Sequence, residues 1–286
     1  TPFDAREEPD LAAFADNLRA HMEVGLHGVV VCGSTGEAAL LDDAERQRLT
    51  DAARPIVPDD RWLIVGTGAE STRQCVQRCR TAAAAGADAV LVVSPHYYTS
   101  AMTDEALEAH FRRVADESPI PVLLYNIPKY AHLRLEPTLI ARLATHGNIV
   151  GMKDSSGDMA YLAQCLEAQG EGFTVLTGNG GTFATALKLG ARGGILAVAL
   201  FAAELSLEIW RAHEEGRAAA AEWAQQRLTP LAAEIVGRLG VPGVKVAMDR
   251  IGLRGGHVRA PLRSLPYDDA RLVDRLLREG GVAVPA

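Results

Sequence analysis

The sequence predicts an α/β chain folded as a (β/α)8 TIM barrel with a C-terminal helical extension. Three observations lead there. Short apolar runs recur along the first two-thirds of the 286 residues, and each is followed by a stretch of helical periodicity. The runs are continuous rather than alternating, as expected of strands buried on both faces of a parallel sheet. A doubly wound open sheet is disfavoured, because no glycine-rich fingerprint follows the first run and the strands are too many.

The runs occupy residues 28–32, 62–66, 89–93, 121–125, 148–152, 173–176 and 193–198. That makes seven. The opening Thr1-Pro2-Phe3 looks extended and supplies an eighth, with a short piece of strand expected upstream. Amphipathic segments at 73–85, 103–117 and 158–168 lie between strands. Ser71-Thr72 and Thr103-Asp104-Glu105 open helices with capping hydroxyls and acids near the positive end of the dipole. Gly86 and Gly190 close helices in the C′ manner. From about Phe201 the pattern is helix after helix, at 202–215, 217–239, 244–251 and 268–277. The expected division is therefore a barrel over 1–215 and a helical annex over 216–286, covering one flank and aiding assembly.

Composition excludes several classes of function. Hydrophobic residues at 48% and charged residues at 23% exclude disorder, and no run reaches the roughly 18 apolar residues of a membrane span. The N-terminal residues lack the apolar segment of a signal peptide. A net charge of −7 argues against nucleic-acid binding, which needs a basic face. Cys32, Cys75, Cys79 and Cys165 are sparse and suit reduced, packed thiols in a cytoplasmic protein. No cysteine or histidine spacing predicts a metal site.

In such a barrel the chemistry belongs at the C-terminal ends of the strands. The polar groups there are Gly33-Ser34-Thr35-Gly36-Glu37, Ser94-Pro95-His96-Tyr97-Tyr98, Tyr125-Asn126-Ile127-Pro128, Lys153-Asp154-Ser155-Ser156-Gly157 and Thr177-Gly178-Asn179. Lys153 ends an apolar run, so it is either half of a structural ion pair or an amine nucleophile. Asp154 is a poor partner, since neighbouring strand residues point to opposite faces. An apolar wall favours the neutral amine, the form that attacks a carbonyl to make a Schiff base. The Gly33–Gly36 turn offers hydroxyls and converging amides to a carboxylate, or simply caps a helix. Tyr125 is either a proton-relaying phenol or a buried tyrosine with a satisfied hydroxyl. Tyr97 and Tyr98 are equally compatible with surface or interface aromatics.

In order and spacing these motifs, with Gly151-Met152-Lys153-Asp154-Ser155-Ser156-Gly157-Asp158, resemble the dihydrodipicolinate synthase/N-acetylneuraminate lyase superfamily from Thr1 to about Leu265. The resemblance implies a pyruvate-linked class I aldolase that needs no cofactor and no metal, in a homotetramer built as a dimer of dimers. It implies that Lys153 forms the Schiff base and that Tyr125 relays protons. Ser34 and Thr35 hold the pyruvate carboxylate, Ser34 joins the relay, and Tyr97 is lent across a subunit interface. Gly178 and Ile195 line the pocket with backbone.

Within the superfamily, dihydrodipicolinate synthases carry an arginine two residues after the proline of the Tyr-Asn-x-Pro motif. Here that position is Tyr130, which lacks the two-pronged donor. Pro95-His96-Tyr97-Tyr98 with Met102, Val241-Pro242-Gly243-Val244-Lys245, Gly255-Gly256 and Arg259-Ala260-Pro261-Leu262 are similar to 4-hydroxy-2-oxoglutarate aldolases. Lys129-Tyr130-Ala131-His132 replaces a small polar loop of that subgroup, and Leu200 stands where asparagine is usual, so the aldehyde partner is not fixed as glyoxylate. The expected activity is cleavage of a 4-hydroxy-2-oxo acid to pyruvate and an aldehyde. Dihydrodipicolinate synthesis, or another condensing, dehydrating or decarboxylating reaction of pyruvate, is the alternative. A barrel that binds a 2-oxo acid without turnover is the second.

Overall fold

Six of the apolar runs form parallel strands: β1 (Gly28–Val31), β2 (Trp62–Gly66), β3 (Ala89–Val93), β4 (Val122–Asn126), β5 (Ile149–Asp154) and β6 (Thr174–Thr177). They pair in sequence order in one sheet, which helices surround in the manner of a TIM barrel. The structure is a computed structural model and describes residues 1–285. The helices are α1 (Leu11–Val24), α2 (Asp43–Ala53), α3 (Thr72–Ala84), α4 (Asp104–Glu117), α5 (Pro128–Ala131), α6 (Pro137–Leu143), α7 (Met159–Leu166), α8 (Phe183–Leu189), α9 (Ala203–Glu214), α10 (Ala218–Pro230), α11 (Gly240–Arg250) and α12 (Tyr267–Glu279). None is long and apolar enough to cross a membrane.

Local chemistry starts the helices where the sequence indicates. Ser71, Thr103 and Asp158 each accept hydrogen bonds from first-turn amides of α3, α4 and α7. Asp42 and Glu45 make a reciprocal capping box at α2.

Two expected strands are different in the structure. Residues 193–198 are not a regular strand: Gly194 bridges Thr177, the backbone bonds Thr177 through Gly193 O and Ile195 N, and the chain then coils into a 3₁₀ turn at Ala197–Leu200. The consecutive glycines at 193 and 194 pack no side chain and weaken strand order there. Thr1-Pro2-Phe3 does not extend the parallel sheet either. Phe3 makes antiparallel bridges to Pro9 and His257, and its buried ring lies under two cations, Lys245 Nζ at 4.8 Å and Arg259 Cζ at 4.2 Å from its centroid. Among the described residues no strand spans from β1 to the Gly193–Ile195 segment. A cavity of about 1150 Å³ runs through that interval into the barrel.

The strands bury two distinct faces. Val90, Val92, Val122, Leu124, Ile149 and Met152 point outward into the layer beneath the helices. Ile64, Leu91, Leu123 and Tyr125 point inward. Strand β5 changes phase partway along. Val122 pairs with Ile149, but Leu123 pairs with Gly151, so Val150 is an extra residue, a β-bulge. Val150 packs with the inner cluster, and the register downstream places Met152 opposite Leu124 and Lys153 opposite Tyr125. Gly151 is needed at this point, because a Cβ there would lie 2.4 Å from Thr174 O.

The C-terminal helices share a second core with α8 and α9, in which Phe183, Leu187, Ile209, Leu228, Ile235 and Leu277 meet. The single helix expected over 217–239 is instead α10 followed by a π-helical segment at Leu231–Arg238. Pro230 ends the regular pattern because it has no N–H to give. These helices reach the working end of the barrel. Buried Gln225 accepts from Ala184 N at 2.7 Å and donates to Gly180 O at 2.9 Å, which fixes the loop after β6. Lys129, after β4, donates to Gly237 O at 2.7 Å.

Candidate active site

Adjacent strands bring Lys153 and Tyr125 together at the C-terminal end of the barrel. Lys153 Nζ donates to Tyr125 Oη at 3.2 Å and lies 4.3 Å from the ring centroid. Lys153 is half-buried and lines the cavity. Among the described residues no carboxylate forms a salt bridge with it. Of the two readings open for this lysine, the structural ion pair is therefore not the one realised.

Asp154 turns to the opposite face, as strand alternation requires. It is fully buried, accepts from Asn126 Nδ2 and from Ser156 Oγ, both at 2.7 Å, and receives Ser156 N at 3.1 Å. Burial pushes its carboxyl up, against these hydrogen bonds. Asn126 also accepts Leu135 N at 3.1 Å. Asn126 and Asp154 thus tie the ends of β4 and β5 together from behind, on the face opposite Tyr125 and Lys153.

Burial raises the Tyr125 phenol, but the adjacent Lys153 charge and hydrogen bonds with Ser34, Ser155 and Lys153 outweigh it, so its pKa falls below the usual phenol value. A phenol so placed gives up its proton more readily than a free one. Ser155, quoted within its motif but given no role by the sequence reading, also lines the cavity; it stands two positions after Lys153, and the alternation rule aims it at the same face.

Ser34 and Thr35 line the cavity from a 3₁₀ turn at Ser34–Gly36. Left-handed residues bracket it, Cys32 at φ 56° and Glu37 at φ 59°. Such a backbone costs non-glycine residues roughly 1–2 kcal/mol each and persists only where surroundings hold it. The Glu37 N–H closes on Ser34 O at 3.1 Å. Its carboxylate is buried against Lys245, with Oε1 2.6 Å from Nζ. Burial pushes the Lys245 ammonium down, against the pull of Glu37.

Gly178 and Ile195 both line the cavity, and the Ile195 N–H donates to Thr177 O at 2.9 Å, tying this segment to β6. A Cβ at Gly178 would stand 2.6 Å from Lys153 Cε and 1.9 Å from Ser155 Oγ. Both are ends of movable side chains, so Gly178→Ala displaces the amine rather than the fold. Displacements of this size cost on the order of 10²-fold in rate. The expected outcome is a near-native melting temperature with a loss of that order in any covalent chemistry at Lys153, measured by thermal unfolding and single-turnover labelling.

Tyr97 is not brought to this cavity by its own chain. It is 77% exposed on the loop after β3, edge-to-face with Tyr98 at 5.0 Å. Glu70 holds that loop by accepting His96 N at 3.0 Å and Tyr97 N at 2.8 Å. Tyr130 stands at the cavity mouth beside Lys129. Burial and the nearby Tyr125 push its phenol pKa up. Among the described residues no group of three or more His, Cys, Asp or Glu side chains is placed to hold a metal ion.

The chain is similar to known proteins over nearly its whole length. A model of the dihydrodipicolinate synthetase family matches residues 1–279. A 4-hydroxy-tetrahydrodipicolinate synthase of Thermodesulfovibrio yellowstonii is 33% identical over 282 residues, 99% of this chain and 96% of the relative. An uncharacterised DapA-like lyase of Halobacterium salinarum is 36% identical over 282 residues, 99% of this chain and 92% of its own. Among solved structures, the chloride-inhibited dihydrodipicolinate synthase of Acinetobacter baumannii complexed with pyruvate superposes with a TM-score of 0.94 at 28% identity. That match covers 99% of this chain and 97% of the other.

Proposed function

The chain belongs to the dihydrodipicolinate synthetase family, and from that premise we propose that it is a class I pyruvate aldolase, cleaving a 4-hydroxy-2-oxo acid to pyruvate and an aldehyde. One observation carries the proposal. The amine of Lys153 faces the cavity, paired with no carboxylate among the described residues and hydrogen-bonded to a phenol whose pKa is lowered.

In the proposed reaction Lys153 Nζ attacks the C2 ketone and water leaves, giving a protonated imine. Ser34, Thr35 and the amides of their turn hold the C1 carboxylate. Ionised Tyr125 takes the C4 hydroxyl proton. The C3–C4 electron pair then flows into the imine, which frees the aldehyde and leaves an enamine. Tyr125 returns the proton to C3, and water hydrolyses the imine to release pyruvate and the amine. Atoms balance, and no external electron acceptor is required. Gly178 and Ile195 shape the pocket wall. In this scheme Tyr97 is supplied by a neighbouring copy of the chain within a homotetramer, a dimer of dimers. Its exposure on a loop braced by Glu70 supports that role.

Dihydrodipicolinate synthesis is the second reading, favoured by the name of the Thermodesulfovibrio relative. The chemistry at Lys153 would be the same, and the difference lies in the second substrate. Tyr130 at the mouth offers no paired donor to a second carboxylate, which supports the aldolase.

Borohydride reduction with pyruvate, followed by mass spectrometry, is expected to leave a pyruvyl adduct on Lys153. Pyruvate release from a panel of 4-hydroxy-2-oxo acids then names the substrate. Absence of an adduct would leave only a binding barrel without turnover. An adduct accompanied by condensation with aspartate semialdehyde, and no release, would favour the synthase.

A further inference from the structure

The C-terminal helices grip the turn that carries Ser34 and Thr35 at one point, Glu37. We propose that the buried Lys245–Glu37 pair is the positioning device of this turn, through which the C-terminal helices set affinity for the carboxylate of a 2-oxo acid. This inference rests on the pyruvate reading above.

Both oxygens of Glu37 are taken by the C-terminal segment: Oε1 by Lys245 Nζ at 2.6 Å, Oε2 by Arg259 N at 2.9 Å. The two ion-pair side chains are 6% and 0% exposed. Lys245 is itself fixed, donating to His257 O and lying over the Phe3 ring. Arg259 continues the clamp to the far side of the turn, reaching Leu40 O and Glu45 Oε2, each at 2.7 Å. The turn is therefore held at its exit by groups more than two hundred residues away, and the left-handed backbone of Glu37 coincides with the point at which its side chain is anchored.

Desolvation makes a buried ion pair a poor source of stability, since apolar residues of like volume do as well. Its distinctive product is geometry, the fixed aim of one carboxylate. Here that aim sets the backbone joining Glu37 to Ser34, on the wall where the cavity meets both Ser34 and Thr35. A loosened turn presents its hydroxyls and amides out of register with an anion but leaves Lys153 in place, because β5 and its bulge do not depend on Glu37.

The test measures the concentration of pyruvate that half-saturates borohydride trapping, with methyl pyruvate as the uncharged comparator. Glu37→Gln and Lys245→Met are each expected to raise the value for pyruvate roughly 10- to 100-fold. The value for methyl pyruvate should stay near wild type, as should the fraction trapped at saturation. The double variant strands no charge and should match either single change rather than their product. If the single variants fail to fold, the double variant decides by the same ratio of pyruvate to methyl pyruvate. A wild-type ratio in folded variants, or equal losses for both ligands, overturns the positioning role while leaving the pyruvate reading intact. Absence of any adduct in the wild-type protein overturns both.

Discussion

Lys153→Ala is expected to abolish the reducible pyruvate adduct and to cut pyruvate release by on the order of 10⁴- to 10⁶-fold, the range seen when an enzyme loses its nucleophile. The fold should survive. Lys153 is half-buried at the cavity wall, and its removal strands no buried carboxylate, since its polar partner is the Tyr125 phenol. Circular dichroism and thermal unfolding should therefore stay near wild type while mass spectrometry finds no adduct. Turnover at the wild-type rate would show that another group does the chemistry.

Tyr125→Phe separates two steps that Lys153→Ala removes together. The variant keeps the amine and should still form the pyruvyl adduct. It loses the acidic group hydrogen-bonded to that amine, so carbon–carbon cleavage should slow by about 10²- to 10⁴-fold, the usual contribution of a positioned acid–base group. The informative quantity is the ratio of trapping rate to pyruvate release. Equal loss in both would move Tyr125 from proton relay to shaping the amine's surroundings. Unchanged release would place the relay on Ser34, Ser155 or a residue from another copy of the chain.

The strands were legible because parallel sheets bury both faces and leave unbroken runs such as Ala89–Val93. The helix starts were legible because Ser71, Thr103 and Asp158 use a local capping chemistry. Lys153 and Tyr125 could be found because each ends its strand at the face where barrels work. The irregular closing segments escaped. Glycines at 193–194 and Phe3 under its two cations obey long-range contacts rather than local pattern. The bulge in β5 was foreshadowed by Gly151 inside an apolar run, a position where a missing side chain often marks an extra residue. The clamp on Glu37 was beyond local reading. Val241 to Lys245 and Arg259 stood out as motifs, but only the folded chain brings Arg259 to a residue 222 positions earlier, and Lys245 to the same one.

The extra residue at Val150 makes the aim of the amine a question of parity. The first half of β5 is locked to the outer layer through Ile149, and an uninterrupted count of two from there would send residue 153 outward, under the helices. Replacing Val150 by another apolar residue keeps the bulge, and deleting it removes the bulge while leaving the later residues on their present faces; only a flat register that retains all six residues reverses them. Such a flat register would put Asp154 inside the mouth and the lysine among Met152's former neighbours. The Lys153 amine thus owes its inward aim to one local departure from alternation, in the backbone three residues before it.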